Sequence, residues 1–248
     1  MSSGNLKLVP IPADAVLHGD SLQLLQRLPD ATIDLIYVDP PFGTGKKQNA
    51  KAAMYEDQLD DPEEFVAWLA PYLAEMRRVL KPTGSLYVHL DYRSSHYAKV
   101  ALDGIFGRDC FLNHIVWLYG LGGSSPRYWP RKHDDLLWYS RTPNGHFFEP
   151  DRQPATSQRM RGQDKKAPDY WDIPALNNMA GERVGYPTQK PLALLERIVR
   201  SSCPPDGVVA DFFCGSGTTG VAAKGLGRSF LLCDISAEAV AIAKDRLR

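Results

Sequence analysis

No stretch of this sequence approaches the roughly 20 consecutive apolar residues that a membrane-crossing helix needs, so no span is expected. Charge of one sign is missing too. The chain carries 29 Lys and Arg against 29 Asp and Glu, which excludes a molecule drawn as a whole to polyanions and leaves only a local patch to meet one. Cysteine is scarce: Cys110, Cys203, Cys214 and Cys233 contain no Cys-x-x-Cys pair, which argues against a zinc ribbon or disulfide framework and for thiols in a core. No metal is expected. The opening MSSGNLKLVP has neither a basic segment followed by an apolar core nor an Arg-rich amphipathic stretch, so the expected location is cytoplasmic.

What the chain does have is alternation. Apolar strand candidates at Val16–His18, Ile33–Val38, Ser85–Leu90, Phe111–Tyr119, His133–Ser140, Val208–Phe213 and Ser229–Cys233 are separated by segments with helical spacing. The segment Pro62–Leu80 is the clearest helix, with Asp61 as cap, Pro62 in the first turn and a stripe of Phe65, Leu69, Leu73, Met76 and Leu80. Further helices are predicted at 21–28, Tyr92–Phe106, Pro191–Cys203, Thr218–Leu226 and from Ala237 on, and Lys81–Gly84 is read as a stop. Such an order predicts an α/β fold, a doubly wound and mostly parallel sheet with helices on both faces. Between Gly120 and Tyr186 glycine, proline, arginine and aromatic residues take over, and only His133–Ser140 has strand character. That stretch is read as an insert. Within it Arg152–Lys166 holds five Lys and Arg against one Asp, a pattern that by charge alone is first a solvated loop.

Two turns carry the chemistry. In DPPFGTGKK, residues 39–47, Pro40 and Pro41 end the preceding strand and hold Asp39 and Phe42 on a stiff bend. A phosphate loop is ruled out, since the Walker spacing needs glycine where Pro40 stands. An acid followed by a ring suits a flat polar group instead. In DFFCGSGTTG, residues 211–220, Gly215, Gly217 and Gly220 fit G-x-G-x-x-G after a strand, and Asp234 ends the next strand, where an acid can bond a ribose. Only 28 residues follow Gly220, so the rest of the sheet must come from upstream in a circularly reordered fold. Ligands of open α/β sheets lie beyond the carboxyl ends of the strands at the switch point. Residues 39–42 and 214–217 are therefore expected at one crevice. His89 and Asp91 are two groups, too few for a metal site, and are read as structural or crevice-lining.

With these residues in hand, the sequence resembles the S-adenosylmethionine-dependent amino-methyltransferases of DNA, in the permuted class whose catalytic motif precedes the cofactor motif. The resemblance rests on Asp39–Phe42 (DPPF), Asp211–Thr219 (DFFCGSGTT), Gly185–Ala193 (GYPTQKPLA) and Asp234. It implies a Rossmann-like methyltransferase fold, with residues 1–119 and 187–248 forming the catalytic and cofactor-binding domain and 120–186 an inserted target-recognition segment. It also implies roles. Asp39 and the Pro40 carbonyl accept from the target amino group, Pro41 stiffens the corner, and Phe42 stacks on an extruded base. The cofactor, S-adenosylmethionine, is held by the loop Asp211, Phe212, Phe213, Cys214, Gly215, Ser216, Gly217 and Thr218. Asp234 takes its ribose, Asp20 lies near its adenine, and Thr188 and Lys190 hold its amino-acid end.

The implied activity is methylation of an exocyclic amino nitrogen in duplex DNA by base flipping. An acid at position 39 leans toward adenine N6; cytosine N4, an RNA substrate, a non-catalytic DNA-binding regulator and an NAD-linked oxidoreductase are the alternatives. Given the enzyme reading, Trp117, Tyr119, Tyr128, Trp129, Trp138 and Tyr139, interleaved with Arg127, Arg131, Lys132 and Arg141, form an expected DNA-facing surface. A homodimer or a mobile Gly43–Asp60 loop is expected to assist so small an insert, and a cognate restriction nuclease is a candidate partner.

Overall fold

A computed structural model describes residues 13–41, 61–120, 123–177 and 179–248. Phe42 and the Gly43–Asp60 segment lie outside the described residues. The elements in chain order are β1 (Ala15–His18), α1 (Ser21–Arg27), β2 (Ile33–Val38), α2 (Pro62–Val79), β3 (Leu80–Leu90), α3 (Ser95–Phe106), β4 (Phe111–Leu118), β5 (His133–Ser140), β6 (Arg152–Pro154), β7 (Asp164–Lys166), β8 (Tyr170–Asp172), α4 (Leu192–Ser202), β9 (Val208–Asp211), α5 (Thr218–Gly225), β10 (Ser229–Asp234) and α6 (Ala237–Arg246).

Eight strands form one sheet in the order β1-β10-β9-β2-β3-β5-β4-β8, and β6 pairs β7 in a separate hairpin. Every neighbouring pair from β1 to β3 is parallel, β5 is antiparallel to both its neighbours, and β4 pairs β8 in parallel. A single strand is thus reversed. Strand β2 is buried at all six positions, as its apolar run predicts. Its one charged residue, Asp34, accepts from Lys81 Nζ at 2.7 Å and from the Val208 amide at 2.9 Å, which ties the start of β2 to β9. Side chains of α1, α2 and α3 close one face around Leu25, Leu69, Met76 and Leu102. The other face is closed by α4, α5 and α6 around Leu195, Ile198, Ala222 and Ala243.

Local chemistry sets the ends. Asp61 accepts from the Glu63 and Glu64 amides at 2.7 and 3.3 Å, with Pro62 in the first turn and Arg77 and Arg78 in the last, so α2 is capped and matched to its dipole. Three expectations change. Residues 81–84 do not interrupt the chain but belong to β3, which follows α2 directly; a Cβ on Gly84 would sit 2.9 Å from Leu80 and 3.1 Å from the Asp34 carbonyl, so only glycine passes there. Helix α3 starts at Ser95 rather than Tyr92, because the Asp91 carboxylate takes the Arg93 amide at 3.0 Å and forms a turn first. Residues 120–186 give the sheet, besides β5 at the expected His133–Ser140, the unexpected short strand β8.

Candidate active site

The sheet order reverses direction between β9 and β2: from there the chain winds outward through β10 and β1 on one side and through β3 on the other. This is the switch point. Leu35 pairs Val209 and Ile36 pairs Ala210, so the same register carried three residues on sets Asp39 level with Phe213. Adjacent strands lie about 4.8 Å apart. The acid corner and the glycine turn, 174 residues apart in the chain by that register, share the carboxyl edge. His18 pairs Asp234 on the next strands, and the Gly19 amide donates to the Asp234 carbonyl at 3.0 Å, which brings Asp20 to that edge as well.

Each predicted residue except Phe42, which lies outside the described residues, has a definite place. Asp39 is 16% exposed and forms an ion pair through Oδ2 with Lys190, which reaches it from the loop before α4. Its other oxygen, Oδ1, is buried without a hydrogen-bond partner among the described residues. Pro40 is buried and Pro41 exposed. Asp211 points inward: Oδ2 accepts from Thr219 Oγ1 at 2.6 Å and Oδ1 from the Phe213 amide at 3.0 Å, closing the turn on itself. Burial pushes its carboxyl up to about 7, against the pull of those two hydrogen bonds. Phe212 is a fully buried core ring whose carbonyl accepts from Ser21 Oγ at 2.5 Å. Phe213 packs on Trp68 and Tyr72 of α2, with ring centroids at 5.8 and 5.5 Å. Cys214, Ser216 and Thr218 are buried.

Gly215 and Gly217 have φ of +49° and +78°, in the region where side chains are strained. The Gly215 amide donates to Asp234 Oδ2 at 2.8 Å, and Oδ1 takes the Ser236 amide at 2.8 Å, so Asp234 is fixed beside the turn. Burial raises its pKa above the usual carboxylate range. Asp20 caps α1 through the Gln23 amide at 2.9 Å. Thr188 is exposed, and Gln189 next to it is buried, accepting from the Val184 amide at 2.9 Å and donating to the Glu182 carbonyl at 2.7 Å. That brace presents Lys190 to Asp39 and lays Tyr186 against Gly215, where a Cβ would be 3.0 Å from the ring.

Several residues of the site carry no motif. Arg246 of α6 donates to the Ser216 carbonyl at 2.9 Å and to Thr218 Oγ1 at 3.0 Å, supporting the turn from below. Fully buried His89 contacts Tyr37 Oη through Nδ1 at 2.8 Å and Asp134 through Nε2 at 3.2 Å. Its only signal was position at a strand end. Of the aromatic residues expected to face DNA, Trp117, Trp138 and Tyr139 are core: β4 and β5 are interior strands, and Trp138 and Tyr139 enter the cores on opposite faces. Tyr119 is half-buried, and Tyr128 and Trp129, the latter 91% exposed, remain; Tyr92, outside the expected set, joins them, with Arg131 4.0 Å from the Tyr92 ring centroid and 4.6 Å from that of Tyr128. Among the described residues no cluster of three or more His, Cys, Asp or Glu is arranged for a metal, and no helix is long and apolar enough to cross a membrane.

The chain is similar to known proteins in sequence and in fold. The model of the DNA methylase family matches residues 33–245. Over 251 residues the chain is 30% identical to the DNA adenine methyltransferase YhdJ of Escherichia coli (strain K12), spanning 95% of this chain and 83% of that one. The cytosine-N4-specific PvuII DNA methyltransferase has a similar structure, with a TM-score of 0.71 at 21% identity over 95% of this chain and 86% of its own. M1.HpyAVI in complex with SAM gives 0.66 at 24% identity over 94% and 98%. By the reach of the family model and the extent of its sequence relatives, the chain belongs to the N6/N4 family of DNA methylases.

Proposed function

We propose that the chain is a site-specific methyltransferase that moves a methyl group from S-adenosylmethionine to the N6 amino nitrogen of an adenine turned out of duplex DNA. The observation that carries this reading is the juxtaposition of Asp39 with the glycine turn at the switch point. The turn suits the cofactor: Gly215 and Gly217 bring backbone close at φ values that only glycine takes easily, and Asp234 stands fixed beside them with lone pairs left for ribose hydroxyls. The amides that open α5 suit a carboxylate. When bound, the cofactor supplies an electrophilic methyl whose bond to sulfur breaks, with its electron pair, as the bond to nitrogen forms.

The chain itself positions and stabilises. Asp39 keeps a second lone pair on Oδ2 beside the Lys190 contact, and with the Pro40 carbonyl it accepts from the amino group, turning the nitrogen lone pair toward the methyl. Positive charge grows on that nitrogen, and the carboxylate answers it. Phe42, at the end of the same proline corner in sequence, is assigned the stacking role, worth about 1–3 kcal/mol against the few kcal/mol that extrusion costs. Adenine is favoured because position 39 is an acid and YhdJ acts as an adenine methyltransferase. The rim of Tyr92, Tyr128, Trp129 and Arg131 is assigned to the DNA, and a second copy of the chain is proposed to help read the site. Sequencing modified bases in the DNA of a host expressing the protein is expected to reveal N6-methyladenine at one short motif. N4-methylcytosine there, or no modified base, would overturn the adenine assignment.

A further inference from the structure

We infer that His89 is a positioning residue of the transfer, standing behind Asp39 and carrying away, through it, the proton that the newly methylated amine must lose. The inference rests on the functional reading above and adds the fate of that proton. Asp39 Oδ1, buried and unpartnered among the described residues, faces His89 Nδ1 at 4.0 Å. That is beyond hydrogen-bond range, but such contacts are often long in free enzymes and tighten in the complex. The far side of the ring meets Asp134, which is 20% exposed and so opens toward water. Trp117 presses edge-on against the imidazole at 5.3 Å, excluding solvent from the near side.

The hydrogen bonds fix the starting state. Asp134 accepts the Nε2 proton, leaving Nδ1 to accept from the Tyr37 hydroxyl. Burial and the carboxylates of Asp39, Asp211 and Asp134 keep Tyr37 protonated, so it is the donor of that pair. The proton step then balances. The N–H bond of the methylated amine breaks and an O–H bond forms on Asp39; the carboxyl turns about Cβ–Cγ and passes the proton to Nδ1 as the Tyr37 hydroxyl swings aside. The imidazolium lies between two carboxylates and gives its Nε2 proton to Asp134, and from there to water. One proton has moved from amine to solvent, and the ring is left with its proton on Nδ1; after the product leaves, Nε2 takes a proton back from water through Asp134 while Nδ1 returns its own to water through Asp39, so that each group regains its starting state. Among the described residues, the charged and titratable groups around the ring include Tyr37 and Asp39 from β2 and its end, Asp134 from β5, Tyr119 just after β4 by way of Trp117, Lys190 on the outer oxygen of Asp39, and Asp91 after β3.

The test compares wild type, His89→Asn and Asp134→Asn in single-turnover methyl transfer across pH, together with imidazole 15N spectra of the free proteins. His89→Asn places an acceptor near the Nδ1 position for Tyr37 but cannot carry a proton, and is expected to slow the chemical step about 100-fold with cofactor affinity unchanged. Asp134→Asn removes the charge on the proton's exit path, so the shape of its rate profile across pH is expected to change, which a purely structural role would not produce. The wild-type spectrum is expected to show the ring proton on Nε2. Wild-type rates and an unmoved pH profile in both variants, or a ring proton on Nδ1, would overturn the inference; should His89→Asn fail to fold, Asp134→Asn and the spectrum decide. A wild-type protein that methylates no DNA defeats the functional reading instead, and the spectrum still judges His89.

Discussion

Asp39 and Asp211 stand on adjacent strand ends, and their neighbours put the same carboxyl group to opposite uses. Asp39 is partly exposed and ion-paired with Lys190, as the role proposed for it, meeting an incoming amine, requires. Asp211 is turned inward, and burial raises its pKa to about 7 from an ordinary value of 3.8. The sign follows from proton linkage: between those two values the folded state holds a proton that the unfolded state has released, so stability is highest at acid pH and falls as pH rises toward 7. One such group contributes a slope of about 1.4 kcal/mol per pH unit at most. Urea midpoints measured from pH 4.5 to 7.5 should lose this slope in Asp211→Asn. Thr219→Val leaves Asp211 Oδ2 short of its donor and should cost about 1–3 kcal/mol by the same measurement.

At the level of elements, the glycine turn is held from three sides: Asp234 beside it, Arg246 of α6 beneath it and Tyr186 against it. A Cβ on Gly217 would lie 2.7 Å from that of Ala243, at a φ of +78°. Gly217→Ala should therefore destabilise the fold by about 1–3 kcal/mol and weaken cofactor binding, checked by thermal melts and calorimetry. Arg246→Met should weaken cofactor binding with a smaller effect on stability, since it releases the turn without straining it. The turn and both corner strands were legible because glycine spacing and unbroken apolar runs are local signals. Arg246, Tyr37 and Asp134 were not, since each acts across a sheet register or helix packing that no local pattern encodes. Strand β8 is three residues long and shows no periodicity; it is fixed by Trp171 in the core and by Trp117 Nε1 donating to the Ile173 carbonyl at 2.7 Å. Lys81–Gly84 misled for a different reason: proline and glycine usually punctuate, yet here an ion pair with Asp34 and a glycine-sized gap keep the chain in the strand.

Across the whole molecule the net charge is zero, so the proposed contact with DNA has to rest on a local rim rather than on the field of the protein. Tyr92 follows β3 and Tyr128–Arg131 precede β5, so both leave the sheet at the end that holds Asp39. Arg131→Ala should weaken DNA binding and reduce the salt dependence of its affinity by about one unit of slope, with cofactor binding unchanged in calorimetry. The permuted order was readable from the acid corner preceding the glycine turn, and β5 from its apolar run, whereas which aromatic residues of 120–186 enter the core was not, because Trp and Tyr serve a core as readily as a rim. The central claim is that Asp39 and the glycine turn serve one reaction. Its most direct test is transfer of labelled methyl from S-adenosylmethionine to duplex DNA by wild type and Asp39→Ala, with the product nucleosides resolved. The account predicts labelled N6-methyladenine from wild type and none from Asp39→Ala, while Asp39→Ala binds the cofactor nearly as well. Equal transfer by both proteins, or by neither, would contradict it.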